Sequence, residues 1–429
     1  MKQFLIGLLC VAAVSCNVNI TPEVTDPITM ESPSPTEPVT KVDLTEKEQA
    51  YMAAGNAMAF RFLDQMYEGK NLIISPLSLQ YALAMTANGA SGETLKEIID
   101  FLGYGEDGID ALNAYSRKLI EQLPAVDLSV SLKLTDAILV NDKFPLLPSF
   151  RQTVQTNYYA AVESMSFGNP EYVAARINEW ASRSTNGFID KVLDANELSE
   201  DAVAYIMNAL YFKAKWEGNE YSPMFREEAT RKEDFTLSDG TKKQVDMMCN
   251  ERYHRYAIRD GYKVLALPYA NRKYFMYILL PDGNDPQALL TKLKQTPWSD
   301  VIGNLKTDAE VTLKLPKFSI ENKLYLKEAL EELGVKLPFE SGKAQFDGMF
   351  QPKPGWYYWI EKVIQKARIN VAEWGTEAAA VTVVEMCGES AAMEPKKLDF
   401  FADHPFVYVI GEATSGAILF DGVYTGKEE

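Results

Sequence analysis

From Leu44 to Glu429 the chain runs without a Pro-, Gly- or Ser-rich break and without an internal repeat. That continuity is the strongest constraint on the fold. A length of 429 residues would otherwise suggest two or three domains of ~150 residues. An unbroken body of this size has to build one large core instead. Helical patterns come first. Glu46 to Met66 and Pro76 to Asn88 carry apolar residues at helical spacing, the second on most faces, and Glu93 to Leu102 is a short amphipathic helix. Strand-like runs follow at Ser129–Val140, Ala202–Phe212, Gly261–Leu267, Tyr274–Leu280 and Glu310–Leu315, with Trp356–Ala372 and Phe406–Phe420 holding turns or breaks. Many strands covered by helices predict an α+β fold around large antiparallel or mixed sheets.

Composition excludes whole classes of function. With 43 Lys+Arg against 60 Asp+Glu the net charge is −17, which opposes a phosphate footprint and hence nucleic acid. Two His and four Cys remove most routes to metal or triad chemistry. There is no His-Glu-x-x-His, Cys-x-x-Cys, Walker loop or Gly-x-Ser-x-Gly. The Gly103-x-Gly105-x-x-Gly108 string follows a helix, not a strand, and carries two acids, so it reads as a loop and not as a dinucleotide site. His254, in a polar turn-like stretch, reads as a surface residue, and His404 before Pro405 as a loop cap. Cys249 and Cys387 read as two free thiols. An enzyme is disfavoured, and no metal or cofactor is called for.

The N-terminus has its own logic. Residues 1–16 pair Lys2 with an apolar run, Phe4 to Val14, too short to span a bilayer, and small residues precede Cys16. This resembles a bacterial lipobox, with Cys16 the lipidated residue; the absence of Asp after it resembles outer-membrane sorting. A plain cleaved signal peptide, and hence secretion, is the other reading. Residues 17–45 are rich in Pro and Thr and read as a disordered tether. The globular domain then covers 46–429.

The unusual segment is residues 373–394. Split by parity, one face is Thr376, Ala378, Ala380, Thr382, Val384 and Met386. The other is Glu377, Ala379, Val381, Val383 and Glu385, so every charge falls on one face. The segment reads as a strand with one buried face or as a loop.

Over about residues 46–426 the chain resembles the serpin family of protease inhibitors. The resemblance rests on several motifs in order. Asn71-Leu-Ile-Ile-Ser75-Pro76-Leu-Ser78 resembles the start of the helix under sheet A, and Asn88-Gly89 to Thr94 follows it. Asn208 to Trp216 resembles that sheet's central strand. Leu267-Pro268-Tyr269, Leu280-Pro281-Asp282 and Leu315-Pro316-Lys317-Phe318 are similar to the family's strand and turn signatures. Gln365-Lys366-Ala367, then Glu373-x-Gly375-Thr376-Glu377-Ala378-Ala379-Ala380, resemble strand 5 and the hinge of the reactive loop.

The resemblance implies three β-sheets, eight to nine helices and an exposed reactive-centre loop. It implies a monomeric suicide inhibitor of serine, and also cysteine, endopeptidases. The target attacks the loop, forms an acyl-enzyme, and is trapped when the cleaved loop inserts into sheet A. Insertion needs small uncharged residues on the inward face, which Thr376, Ala378 and Ala380 supply. A non-inhibitory binding or scaffold member of the family is the alternative. Counting thirteen residues on from Thr376 places the bait bond at Glu389–Ser390, with Met386, Met393 and Lys396 as other bait residues. Ser75, Ser78, Asn208, Trp216, Lys317 and Gln365 match positions beneath and at the top of the opening sheet, and Lys317 matches an ion-pair partner of Glu373. Gln365 stands where many members have His, so no pH dependence of insertion is expected from that site. Only Arg117 and Lys118 lie together on the helix near Ala111–Gln122, so no heparin-type polyanion cofactor is expected.

Overall fold

The computed structural model describes residues 34–427 apart from 220, 352 and 377–395. The leader, with Cys16, lies outside them. Among the described residues the helices are α1 (Glu46–Met66), α2 (Pro76–Ala87), α3 (Gly92–Leu102), α4 (Gly108–Gln122), α5 (Pro148–Tyr158), α6 (Pro170–Ser184), α7 (Gln287–Leu293), α8 (Trp298–Ile302) and α9 (Lys327–Glu332). The strands are β1 (Leu72–Ile74), β2 (Ser131–Asn141), β3 (Ala161–Met165), β4 (Ala204–Lys215), β5 (Arg231–Thr236), β6 (Lys242–Tyr253), β7 (Arg255–Arg259) and β8 (Tyr262–Tyr269). There follow β9 (Tyr274–Pro281), β10 (Glu310–Pro316), β11 (Phe318–Tyr325), β12 (Ile364–Ala372), β13 (Gly375–Thr376), β14 (Lys397–Phe401), β15 (Phe406–Glu412) and β16 (Ile418–Tyr424).

Local chemistry sets the helix starts. Thr45 caps α1 in a capping box, its hydroxyl accepting from Glu48 N at 3.2 Å while Glu48 Oε2 accepts from Thr45 N at 2.8 Å. Ser75 caps α2 and Asn169 caps α6, each followed by a proline, whose missing N–H costs nothing in a first turn.

The strands form three sheets: a main sheet β11-β12-β13-β4-β2-β3, a second sheet β1-β16-β15-β9-β8-β7, and a smaller one β14-β10-β6-β5. Strands β9, β15 and β16 are buried along their whole length, so they belong to a sheet covered on both faces. In the main sheet the two faces have separate cores. Leu134, Ile138, Leu210, Phe212, Ala367 and Ile369 face the large core with α2. Ala137, Leu139 and Met207 face α6 through Val173, Ile177 and Trp180.

Several expectations need correction. The Ala202–Phe212 run is β4, shifted to Ala204–Lys215, and helices occupy Pro148–Tyr158 and Pro170–Ser184, where periodicity assigned none. The breaks expected in Trp356–Ala372 and Phe406–Phe420 are present: β12 begins at Ile364, and a turn separates β15 from β16. The end of the tether is docked: Val39 N donates to Ala125 O at 2.9 Å, and Val42 is 3% exposed. No described helix is long and apolar enough to cross a membrane.

Candidate functional site

Strand β13 is two residues long and sits between β12 and β4, antiparallel to both. Thr376 lies opposite Val371 on one side and Ala214 on the other; Gly375 lies opposite Ala372 and Lys215. The approach is close enough to demand glycine. Gly375 has φ +144°, and a Cβ there would fall 2.1 Å from Ala214 O. Thr376 is buried, and its hydroxyl meets Tyr269 Oη at 2.5 Å.

Trp216 closes the top of this slot. Its indole N–H donates to Ala372 O at 2.8 Å, its backbone N–H donates to Trp374 O at 3.0 Å, and its ring stacks on Tyr269. Trp374, bulky and just before the hinge, is held from outside by Glu227, whose Oε1 accepts its indole N–H at 3.0 Å. Glu373 is 4% exposed, with Thr230 Oγ1 donating to it at 2.8 Å and Lys317 Nζ 3.0 Å away. Burial pushes the Glu373 carboxyl up, but hydrogen bonds from its own backbone and Thr230, together with Lys317, outweigh it and hold it below the usual carboxylate range.

Lower down, a buried network joins five elements under the sheet. Gln365 of β12 accepts from Ser75 N at 2.9 Å and donates to Ser75 O at 2.8 Å. Ser75 Oγ donates to Leu419 O at 2.9 Å and accepts from Ser78 N. Ser78 Oγ donates to Asn208 Oδ1, and Asn208 Nδ2 donates to Asp136 Oδ1 at 2.7 Å. The hydrogen bonds of Gln365 go to Ser75, while Asn208 is tied to Ser78 and Asp136. Asp136, Tyr269, Thr230 and Glu227 were not anticipated. Asp136 had a signal: it is the one acid in the apolar run Leu134 to Val140.

The connector between α6 and β4 crosses the outer face of the same sheet. It leads into β4, yet it is pinned on β11 and β12. Lys366 Nζ donates to Lys191 O at 2.6 Å, Arg368 donates to Phe188 O at 3.3 Å, and Lys362 Nζ donates to Glu197 O at 2.8 Å. Lys323 Nζ lies 2.6 Å from both Glu197 carboxylate oxygens, and Tyr325 Oη donates to Oε1 at 2.5 Å. The Lys323 and Tyr325 bonds together hold the Glu197 carboxyl down at about 2.

The remaining candidates are scattered. Glu377, Ala378, Ala379, Ala380, Met386, Cys387, Glu389, Ser390 and Met393 lie outside the described residues. Lys396 is described: its carbonyl accepts from Glu310 N at 2.8 Å and its ammonium donates to Tyr256 Oη at 3.1 Å. His254 is not a surface residue. It is 3% exposed beside Asn250, because the parity of β6 and β7 turns it inward, and burial pulls its imidazole down to about 4. His404 bridges Asp403 Oδ1 and Pro281 O. Arg117 pairs with Glu121 and Lys118 with Glu48, each neutralised locally. Cys249 is a free thiol. Among the described residues no cluster has the make-up of a metal site.

Comparison with known proteins gives this arrangement a family. The chain matches the family model described as Serpin (serine protease inhibitor) over residues 53–426. It is 31% identical to Serpin-ZX of Arabidopsis thaliana over 377 residues, covering 85% of this chain and 94% of that one. It is 32% identical to Serine protease inhibitor 42Dd of Drosophila melanogaster, covering 85% and 93%. The native state of the thermophilic serpin tengpin superposes with a TM-score of 0.79 at 30% identity, covering 91% of this chain and 96% of that one. The three sheets and nine described helices are the serpin fold. A glycine-gated strand held between β12 and β4, and these relatives along nearly the whole domain, lead to one conclusion: the chain belongs to the serpin family.

Proposed function

We propose that this protein is an inhibitory serpin, a suicide inhibitor of serine endopeptidases that also takes cysteine endopeptidases, and not an enzyme. The observation that carries this reading is β13. The hinge residues Gly375 and Thr376 already occupy the position of a central strand, paired on both sides. Continuing that register into an inserted form would set Ala378 between Ile369 and Phe212, and Ala380 between Ala367 and Leu210. Thr382 would come between Gln365 and Asn208. The flanking residues Ile369, Phe212, Ala367, Leu210 and Gln365 are buried on the core side. The sequence therefore offers small or neutral residues wherever the register needs them, and puts Glu377 and Glu385 on the outer face. Each new cross-strand pair contributes about 0.2–1 kcal/mol, so a dozen residues paired on both sides gain on the order of 10 kcal/mol. The uninserted form is then held kinetically.

Glu389–Ser390 is the bait bond on this reading. Lys396 is the weakest alternative, since its carbonyl is already committed to Glu310 N. The protein acts as a monomer without a heparin-type cofactor, and Cys16 anchors it by lipid to the outer membrane. The test is to mix the full chain with a panel of serine and cysteine proteases. An SDS-stable complex plus a released C-terminal fragment supports inhibition, and the fragment's first residue fixes the bond. Cleavage of the loop with no complex supports the non-inhibitory binding or scaffold reading. A soluble, unlipidated mature protein in the producing cell's medium would overturn the anchor.

A further inference from the structure

On the outer face of the main sheet one aromatic side chain touches two strands that flank β13. Phe188 follows α6 in a tight turn. Thr185 Oγ1 donates to Ala181 O at 2.8 Å and accepts from Ile189 N at 2.9 Å, and Phe188 N donates to Thr185 O at 2.9 Å. Asn186 and Gly187 take φ of +52° and +78°, which turns the chain off the helix and across the sheet. Lys133 Nζ of β2 ties this turn down by donating to Asn186 Oδ1 at 2.8 Å. The Phe188 ring then meets Tyr211 of β4, with centroids 6.2 Å apart and planes at 74°. The Arg368 guanidinium of β12 lies 4.8 Å from the same ring centroid, and it also donates to Phe188 O at 3.3 Å. Arg368 is itself anchored beside Glu321 of β11, Nε to Oε2 at 3.6 Å.

Tyr211 and Arg368 share one level of the sheet. Strand β13 pairs Thr376 with Ala214 on one side and Val371 on the other. Three residues further in that register, position 379 falls opposite both Tyr211 and Arg368. Among the described residues β13 ends at Thr376, short of that level. The outer-face residues of the segment are Glu377, Ala379, Val381, Val383 and Glu385, and of these only Ala379 is small. The core accounts for Ala378 and Ala380, whose parity turns them inward. It does not account for Ala379, which has the opposite parity.

The geometry points to Phe188 as the residue that sets the size limit at position 379. Its ring lies over the outer face of the sheet at the one level where the segment's outer face carries an alanine. A strand arriving there brings its Cβ beneath the ring, where a methyl group fits. A longer side chain meets a ring held by the turn, by Tyr211 and by Arg368, and has to displace it. Phe188 therefore acts as a positioning residue for the inserting strand.

This inference rests on the reading of β13 as the start of an inserting strand, and its test uses no protease. A labelled peptide with the sequence of residues 376–386 is incubated with the full chain, and annealing is followed as a band shift on native gels. With the wild type, a peptide carrying Ala379→Leu is expected to anneal about tenfold or more slowly than the native-sequence peptide. With Phe188→Ala protein the two peptides are expected to anneal within about twofold of each other. A purely structural Phe188 would change both rates by the same factor. The same ratio in both proteins, or no discrimination by the wild type, overturns the proposal. Phe188→Leu gives a second cycle that does not depend on the alanine variant folding. Its discrimination is expected to fall below that of the wild type, and an undiminished ratio would also overturn the size limit. If the native-sequence peptide annealed to neither protein, the insertion reading itself would fail, and the size limit with it.

Discussion

Trp216 lies flat against Tyr269, with ring centroids 4.4 Å apart and planes 8° from parallel, and Tyr269 carries the hydroxyl that meets Thr376. One aromatic pair thus links the end of β4, the second sheet and the hinge. Trp216→Ala removes the stack and the bond to Ala372 O from a site 4% exposed. A loss of about 3–5 kcal/mol is expected in denaturant unfolding. Trp216→Phe, which keeps a ring but no indole N–H, should lose less; equal losses would deny the indole bond a role.

Gly375 is the residue whose side chain has no room. Gly375→Val sets a β-branched side chain at φ +144° against Ala214 O and expels the hinge from between β12 and β4. Strain of about 1–3 kcal/mol, at 1.4 kcal/mol per factor of ten, would slow insertion on the order of tenfold or more. The expected product on an SDS gel is cleaved serpin with little covalent complex. Unchanged complex yield would show that the hinge need not sit there.

Glu373→Lys puts an ammonium into a site 4% exposed and beside Lys317, while losing the Thr230 bond. Because Lys317 is half exposed, most of the cost is the burial of the new charge, not the lost pair. Polymers on mild heating are expected by native gel, with Glu373→Gln milder. For the wild type, a carboxyl held low in the folded state contributes stability above the unfolded value of 4.5 that disappears as pH falls further. Acid treatment below that value should loosen the hinge toward the Glu373→Gln behaviour.

Asp421 of β16 is 0% exposed, and neither carboxylate oxygen has a hydrogen-bond partner. Burial drives its carboxyl well above 3.8. The sign is opposite to that of Glu373: stability is fully present below the unfolded value and is lost as pH rises. Asp421→Leu should therefore stabilise the fold by about 1–3 kcal/mol at pH 8, with the gain shrinking toward pH 4. A gain independent of pH would point to packing alone.

The legible parts of the site were those whose constraint is local. Helix α1 lies where its spacing and the Thr45–Glu48 box put it, from Glu46 to Met66. Thr376 is buried, on the face where the parity of 376–386 puts it, and Gly375 carries its own backbone signature. What was hidden depends on partners far along the chain. His254 is flanked by arginines and tyrosines, yet strand parity turns it inward. Asp136 gains its meaning from Asn208, and Trp374 from Glu227, each residue remote in sequence. Helices α5 and α6 have short or mixed apolar stripes, which become a face only when the main sheet lies beneath them.

The connector from α6 to β4 has a consequence for timing. It is fastened across β11 and β12 by Lys323, Lys362, Lys366 and Arg368. A strand filling the space between β12 and β4 has to travel behind that fastening, which must yield step by step. On the proposed inhibitory reading, a bound protease would meanwhile hydrolyse its own ester at a fixed pace. The outcome is a race, and the strap around Glu197 is the part of this chain that sets the runner's handicap.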